Sequence, residues 1–288
     1  MLNNNLDFEV HPTMRKITFA FGLVALLVAC QAAPQPVAQT GIIEGIADGS
    51  TRVVDLTHTL NPENPYWPGE GYAPFAYEVF ETIEEDGALA ARFMMAEHTG
   101  THLDAPNHFV EGRASIDQIP LQQLIVSAIV IDVRAAVAEN PDYLLATEDI
   151  LNWESANGKI ESNTFVFMYT GWDERWTDYN SYKNTDEEGN LHFPGFSPGA
   201  AELLVTERDV AGLGIDTLSV DYGLSNDFEV HAISHGRAKY HIENAADLSD
   251  LPTTGAWVIV APIKIENGTG GPVRILALVQ DVQSADSL

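Results

Sequence analysis

His98-Thr99-Gly100-Thr101-His102-Leu103-Asp104-Ala105-Pro106-Asn107-His108-Phe109 packs three imidazoles and a carboxylate into one short run of a chain with only 9 histidines. Positions 98, 102, 104 and 108 are all even-numbered, so an extended backbone projects these side chains to one face. A helix is a poor host: Gly100 weakens it, Pro106 breaks it, and Pro106 also holds Ala105 in extended geometry. Two neutral imidazoles and a carboxylate converging from one strand edge form a facial ligand set for a divalent metal. His108 lies one step further along that face, where it can handle protons instead of binding metal. Isolated histidines are usually surface or satisfied core residues. Here Asp104 and His108 on the same parity, with a small Gly-Thr pair that lets the backbone approach closely, favour a metal centre over that plainer reading.

Working outward, residues 91–96 read as a strand running straight into the histidine run, with another at 75–83 and a β-branched strand at 52–60. Between these last two, Asn61-Pro62-Glu63-Asn64-Pro65-Tyr66-Trp67-Pro68-Gly69 cannot be helix. Trp67 in this loop serves either as packing or as one wall of an aromatic substrate pocket. Downstream, a helical turn at 121–124 leads into a buried strand at 128–133. A helix spans 147–157, with Thr147 as N-cap and Gly158 as its end. A core strand follows at 164–169, then a helix opened by Ser197-Pro198 and running to about residue 206. Residues 210–220 read as a strand carrying Asp216 and Ser219, with Asp221 at its end. Apolar strands at 257–260 and 273–279 flank a Gly-rich link. The acidic stretch 173–190 reads as a surface loop or flap. Many strands, few helices and no repeat period predict a single α/β domain with a mixed sheet.

Composition narrows the partners. The chain has 288 residues, is 45% hydrophobic and 19% charged, and carries a formal net charge of −28. Such acidity disfavours nucleic acid and anionic lipid headgroups and draws in cations.

The N-terminus reads as targeting sequence. Met14-Arg15-Lys16 supplies a positive region, and the apolar stretch 17–29 is too short to span a bilayer comfortably. It ends in Leu27-Val28-Ala29-Cys30, which resembles a bacterial lipobox with Cys30 as the lipidated residue; the alternative is an ordinary secretory signal cut nearby. Either form predicts export, to the periplasm or to an outer-membrane anchor, the latter favoured by Gln31. The expected membrane contact is through that lipid alone. Residues 1–30 are thus an upstream extension plus signal, residues 31–50 a flexible tether rich in Ala, Gln, Pro and Gly, and residues 51–288 the folded domain. Cys30 is the chain's 1 cysteine, so no internal disulfide is available.

A second cluster, His231-Ala232-Ile233-Ser234-His235-Gly236-Arg237-Ala238-Lys239-Tyr240-His241-Ile242-Glu243-Asn244, reads alone as a solvated helix and turn. Beside an under-coordinated first metal, its histidines and glutamate offer further ligands.

The run at 98–108 is similar to the H-x-G-T-H-x-D-x-P-x-H signature of the cyclase superfamily, which includes bacterial kynurenine formamidases and isatin hydrolases. The resemblance extends from about Asp55 to Val282 through Asp55-Leu56-Thr57-His58, Trp67-Pro68-Gly69, Thr170-Gly171-Trp172, the run from Phe193-Pro194-Gly195 to Pro198, and Gly214-Ile215-Asp216-Thr217. It implies a mixed-sheet domain of the swivelling β/β/α type and association into homo-oligomers. It also implies metal ligation by His98, His102 and Asp104, a second ion held by His231 and Glu243, and an acid/base role for His108. Zinc in the formamidases and manganese in the isatin hydrolases leave metal identity open, with one or two ions. The run after His231 is more polar than the leucine-rich run the family leads one to expect, which bears on the substrate pocket. The implied activity is hydrolysis of an amide bond in a small aromatic substrate by metal-activated water, on an aryl formamide such as N-formylkynurenine or on a cyclic amide such as isatin. The non-enzyme alternative is a surface lipoprotein that binds metal or small ligands.

Overall fold

Successive residues of the apolar strands part company into two cores. The computed structural model describes residues 41–280; residues 1–40, with Cys30 and the signal, and residues 281–288 lie outside the described residues. Its strands are β1 (Thr51–Asp55), β2 (Ala76–Glu81), β3 (Ala90–Met94), β4 (His102–Asp104), β5 (Ile125–Asp132), β6 (Leu144–Leu145), β7 (Phe165–Tyr169), β8 (Gly195–Phe196), β9 (Gly212–Ile215), β10 (Tyr240–Glu243), β11 (Ala256–Pro262) and β12 (Gly270–Gln280). In β5, Val126, Ala128 and Val130 join one core while Ile129 and Ile131 join the other. In β7, Phe165, Phe167 and Tyr169 part likewise from Val166 and Met168. Period-2 alternation buried on both faces is what a sheet covered on each side requires.

The main sheet runs β1-β12-β11-β5-β7-β9-β10-β4, and β4 pairs again with β12. Gly270, Gly271 and Pro272 of β12 take up β4, while the far end of the same strand edge takes up β1. Seven strands thereby close into a barrel-like ring, with β5, β7, β9 and β10 parallel and the other pairs antiparallel. Closure removes sheet edges. Phe165 and Phe167 fill the interior opposite Gly212 and Gly214, where a Cβ would collide with those rings. The expected single mixed α/β domain is thus present, with its sheet closed on itself.

The helices are α1 (Glu44–Asp48), α2 (Ile83–Asp86), α3 (Leu121–Leu124), α4 (Arg134–Glu139), α5 (Thr147–Asn157), α6 (Tyr179–Lys183), α7 (Pro198–Glu202) and α8 (Glu229–Gly236). Ile150, Ala200, Leu204 and Val230 lie in the outer core, and α7 packs against both α5 and α8. Among the described residues, no helix is long and apolar enough to cross a membrane.

Several local expectations are corrected. The helix at 147–157 is capped by Ala146, not Thr147, with the Asp149 carboxylate accepting the Ala146 N–H at 2.7 Å. Ser197 does cap α7, accepting from Ala200 N, but the α-helix ends at Glu202 and continues as a π-turn. The expected strand at 210–220 ends at Ile215, because residues 216–221 turn to satisfy buried polar groups, as when Asp216 accepts from Thr170 N and Trp172 N. The strand expected at 52–60 stops at Asp55. Strand β3 stops at Met94 and pairs with β2 in a separate ribbon, so it does not run into the histidines. The acidic segment 173–190 is no simple surface loop: it forms a 3-10 turn and α6, and buries Trp176 and Tyr182. Residues 44–48, within the stretch expected as tether, form α1.

Candidate metal centre

The four even-numbered residues of the histidine run do meet, though not by riding one extended strand. Only His102–Asp104 is strand. Gly100 turns the chain at φ +69°, a left-handed conformation suited to glycine, and brings His98 back over the sheet. Pro106–His108 is a 3-10 turn that folds His108 onto His98, with ring centroids 3.9 Å apart. Gly270 of β12 leaves room for the His98 ring, since a Cβ there would come within 2.5 Å of it. The expected parity therefore holds for His102 and Asp104; His98 and His108 arrive by turns.

On the neighbouring strand, His241 and Glu243 pair with Asp104 and His102. Leu103 and Ile242 point into the barrel, so all four chemistry-bearing side chains share its outer face, beneath α8. His231 reaches the same point from α8.

Proton accounting fixes what the imidazoles present. His102 Nδ1 lies 2.8 Å from the Gly100 carbonyl, which can only accept, so Nδ1 carries the hydrogen and Nε2 is bare. Buried His102 Nε2 makes no hydrogen bond among the described residues, yet faces Asp104 Oδ1 at 3.1 Å and Glu243 Oε2 at 3.5 Å. His231 Nδ1 donates to Asp221 Oδ2 at 2.6 Å; its bare Nε2 faces Asp104 Oδ2 at 3.2 Å and Glu243 Oε1 at 3.4 Å. Thr269 Oγ1 spends its proton on Glu97 Oε2 and so accepts from His98 Nε2 at 3.0 Å. His98 Nδ1 is then bare, 2.5 Å from Asp104 Oδ1.

Three lone-pair nitrogens thus confront the oxygens of Asp104, and two of them those of Glu243. That arrangement repels itself unless a cation lies between. Burial works against charge on His102 and His231, but the facing carboxylates outweigh it and push both up to about 10. A divalent cation answers the same demand, so the residues fit a divalent metal. Asp104, His231, His241 and Glu243 each offer a ligand atom within 4.8 Å of the others, as do His98, Asp104 and His108. His108 differs in kind: burial pulls it down to about 4 despite the pull of Asp104 the other way, so it stays neutral.

Beside these residues opens a cleft of ≈ 160 Å³. Trp67, expected as a pocket wall, lines it together with Tyr66, Tyr72, Phe109, Leu218 and Phe228. Tyr66 stacks on Tyr179 of α6 at 4.8 Å, so the acidic segment pins the loop that carries Trp67.

Residues 54–222 match the family model described as "Putative cyclase". The chain is also 35% identical over 257 residues to an isatin hydrolase from Roseibium aggregatum, covering 84% of this chain and 97% of that one. It belongs to the cyclase family. This cyclase-family chain is 29% identical to a kynurenine formamidase from Geobacillus thermodenitrificans, over 77% of its own length and 94% of the relative. A crystal structure of an isatin hydrolase bound to the product analogue thioisatinate superposes with a TM-score of 0.79 at 33% identity, covering 84% of this chain and 97% of that one.

Three contributors escaped sequence reasoning. Asp221 orients His231 and also receives the N–H groups of Val230 and His231, capping α8 from outside the helix. Thr269 orients His98 from the Gly-rich link. Asn244, at φ +54°, donates to Gly100 O at 2.9 Å and accepts from Tyr182 Oη, steadying the carbonyl on which His102 rests. None of these three carries a local signal. His241 did carry one, since Tyr240-His241-Ile242-Glu243 alternates at the strand period.

Proposed function

We propose that this chain hydrolyses the carbon–nitrogen amide bond of a small aromatic substrate. The reading rests on one observation: bare nitrogens of His98, His102 and His231, with Glu243, gather around the Asp104 carboxylate beside an aromatic-walled cleft. In it, His98, His102 and Asp104 would hold one divalent ion, and His231 and Glu243 would hold a second where two are bound. Either zinc or manganese suits two-nitrogen sets with carboxylate oxygens. When bound, the metal would supply Lewis acidity, lowering the pKa of water to about 7 and offsetting charge that develops on the carbonyl oxygen.

The chain's own residues do the rest. Neutral His108, stacked on His98 at the cleft, accepts a proton from the attacking water at its ring nitrogen and gives it to the leaving nitrogen, which would otherwise depart as an unstable anion. Gly100, Asp221 and Thr269 hold the tautomers of His102, His231 and His98. Trp67, Phe109 and Phe228 flank the ring of the substrate and exclude water.

Two substrate types fit: an aryl formamide, as for the kynurenine formamidase relative, and a cyclic amide, as for the isatin hydrolase relative. The higher identity and fuller coverage of the latter favour the cyclic amide. Purified full-length chain, stripped with chelator and reloaded with Mn or Zn, should turn over isatin or N-formylkynurenine, with activity lost again on chelation. Metal-loaded protein that turned over neither, nor simpler formanilides and lactams, would leave only the reading of a metal- or ligand-binding surface lipoprotein.

The same reading includes layers of the swivelling β/β/α type, association into a homo-oligomer, and export with lipid on Cys30. Labelling cells with radioactive palmitate checks the last: Cys30→Ser should remove the label.

A further inference from the structure

We infer that His241 is a ligand of the ion held by Asp104, His231 and Glu243, giving that position a fourth protein donor. The inference rests on the metal reading above and extends it to a residue that reading leaves idle. Ser234 lies one helical turn after Val230, and its Oγ donates to the Val230 carbonyl at 2.6 Å, the usual back-bond of a serine inside a helix. Its single proton is thereby spent. At 2.5 Å from His241 Nε2, Ser234 Oγ can only accept, so the imidazole donates there. Nδ1 is left bare, and it is buried with no partner among the described residues. This is the same accounting that identifies His98, His102 and His231.

Placement agrees with it. His241 and Glu243 lie on one face of β10, with Asp104 directly across the pairing from His241. A ring nitrogen of His241 is within 4.8 Å of ligand atoms of Asp104, His231 and Glu243. His235 stacks on the His241 ring at 4.3 Å, and His231 meets it edge-on at 4.7 Å, so the ring is held from two sides. His241 does not line the cleft, whereas Asp104, His231 and Glu243 do, so it would meet their ion from the side away from the opening. Two nitrogens and two carboxylates around one ion make a closed tetrahedral set, of the kind that holds a metal for structure. The ion at His98 and His102 is then the one left open to substrate.

The test is titration of the chelator-stripped full chain with Co(II), read by calorimetry and by the visible d–d bands. Wild type should bind two equivalents, the second with the intense bands of tetrahedral cobalt. In His241→Ala the second equivalent should weaken beyond the ~10–100-fold typical of residues that merely orient a ligand, and the tetrahedral bands should fade. His241→Asn places an amide oxygen near the former Nδ1 and should bind between the two. First-equivalent binding monitors the fold; if His241→Ala loses both ions, the rank of His241→Asn below wild type on the second ion decides. One equivalent in wild type at saturating Co(II), or two-ion binding and bands unchanged in His241→Ala, would overturn the inference. Loss of amide hydrolysis with both ions bound would sink the functional reading alone.

Discussion

The two halves of the centre were assembled by different means. The run from His98 to His108 brings its side chains together within one turn-strand-turn, so chain continuity sets their spacing. The half from Asp221 to Asn244 contributes His231 from a helix, Glu243 and His241 from a strand, and Asp221 from a loop. These are brought to one point by the parallel pairing of β9 with β10 and the antiparallel pairing of β10 with β4. Among the described residues, Asp104 is the one carboxylate that pairs within 3.2 Å with histidines from both halves. A local motif tolerates distortion elsewhere in the fold; a topological one depends on the whole ring closing.

Asp104→Ala is therefore the harshest way to test that division. It removes the shared carboxylate and leaves bare nitrogens facing each other, so both ions should be lost and amide hydrolysis should fall to background. Elemental analysis of the purified variant checks it. Retention of a full equivalent of metal would mean that the halves bind independently and that Asp104 is not the link.

Next in size is His108→Ala. It should keep metal content at the wild-type level while kcat falls by about two to four orders of magnitude, the usual worth of a positioned acid/base. Loss of metal instead would move His108 from proton handling into the ligand set of the first half, which its distance to His98 and Asp104 permits.

Asp221→Ala probes the second half through a residue that touches no ion. His231 would lose the partner that fixes its tautomer, and α8 would lose its cap. Metal affinity and activity should drop about 10- to 100-fold, with partial recovery in Asp221→Asn, whose amide oxygen still accepts from Nδ1. Removing the corresponding orienter of the first half, with Thr269→Val, should cost less, because chain continuity still aims His98.

Legibility followed the same line. The first half could be read from sequence because its residues are neighbours, and even there the single extended strand was too simple: Gly100 and Pro106 impose turns that parity alone does not disclose. The closing of β12 around β4 was not legible, since nothing in Gly270-Gly271-Pro272 announces its partner; neither was Asp221, eight residues before the helix it caps. Core strands such as β5 and β7 were legible because burial on both faces leaves an unbroken apolar run. The stretch at 210–220 misled for that very reason. Its apolar residues are buried, but Asp216 and Thr217 need partners a straight strand would deny them.

The mildest test concerns what sets the site histidines apart. His58 is half-buried, less enclosed than His102 and His231, and among the described residues no carboxylate hydrogen-bonds to it; it stacks on Trp176 at 4.0 Å and its Nε2 has no partner among the described residues. Burial alone acts there and lowers it from 6.5 to about 4, opposite to the rise at the centre. Between pH 6.5 and 4 the unfolded chain takes up a proton at this position and the folded chain does not. Stability must then fall as pH drops through that window, by up to about 3 kcal/mol from this residue. His58→Phe keeps the stacking ring and removes the titration, so urea midpoints of the metal-free variant should lose less than wild type between pH 7 and pH 4.5. Using metal-free protein on both sides removes the acid-driven release of metal from the comparison. Equal losses in the two proteins would show that His58 protonates without penalty, and that burial is not what separates it from the carboxylate-facing pair.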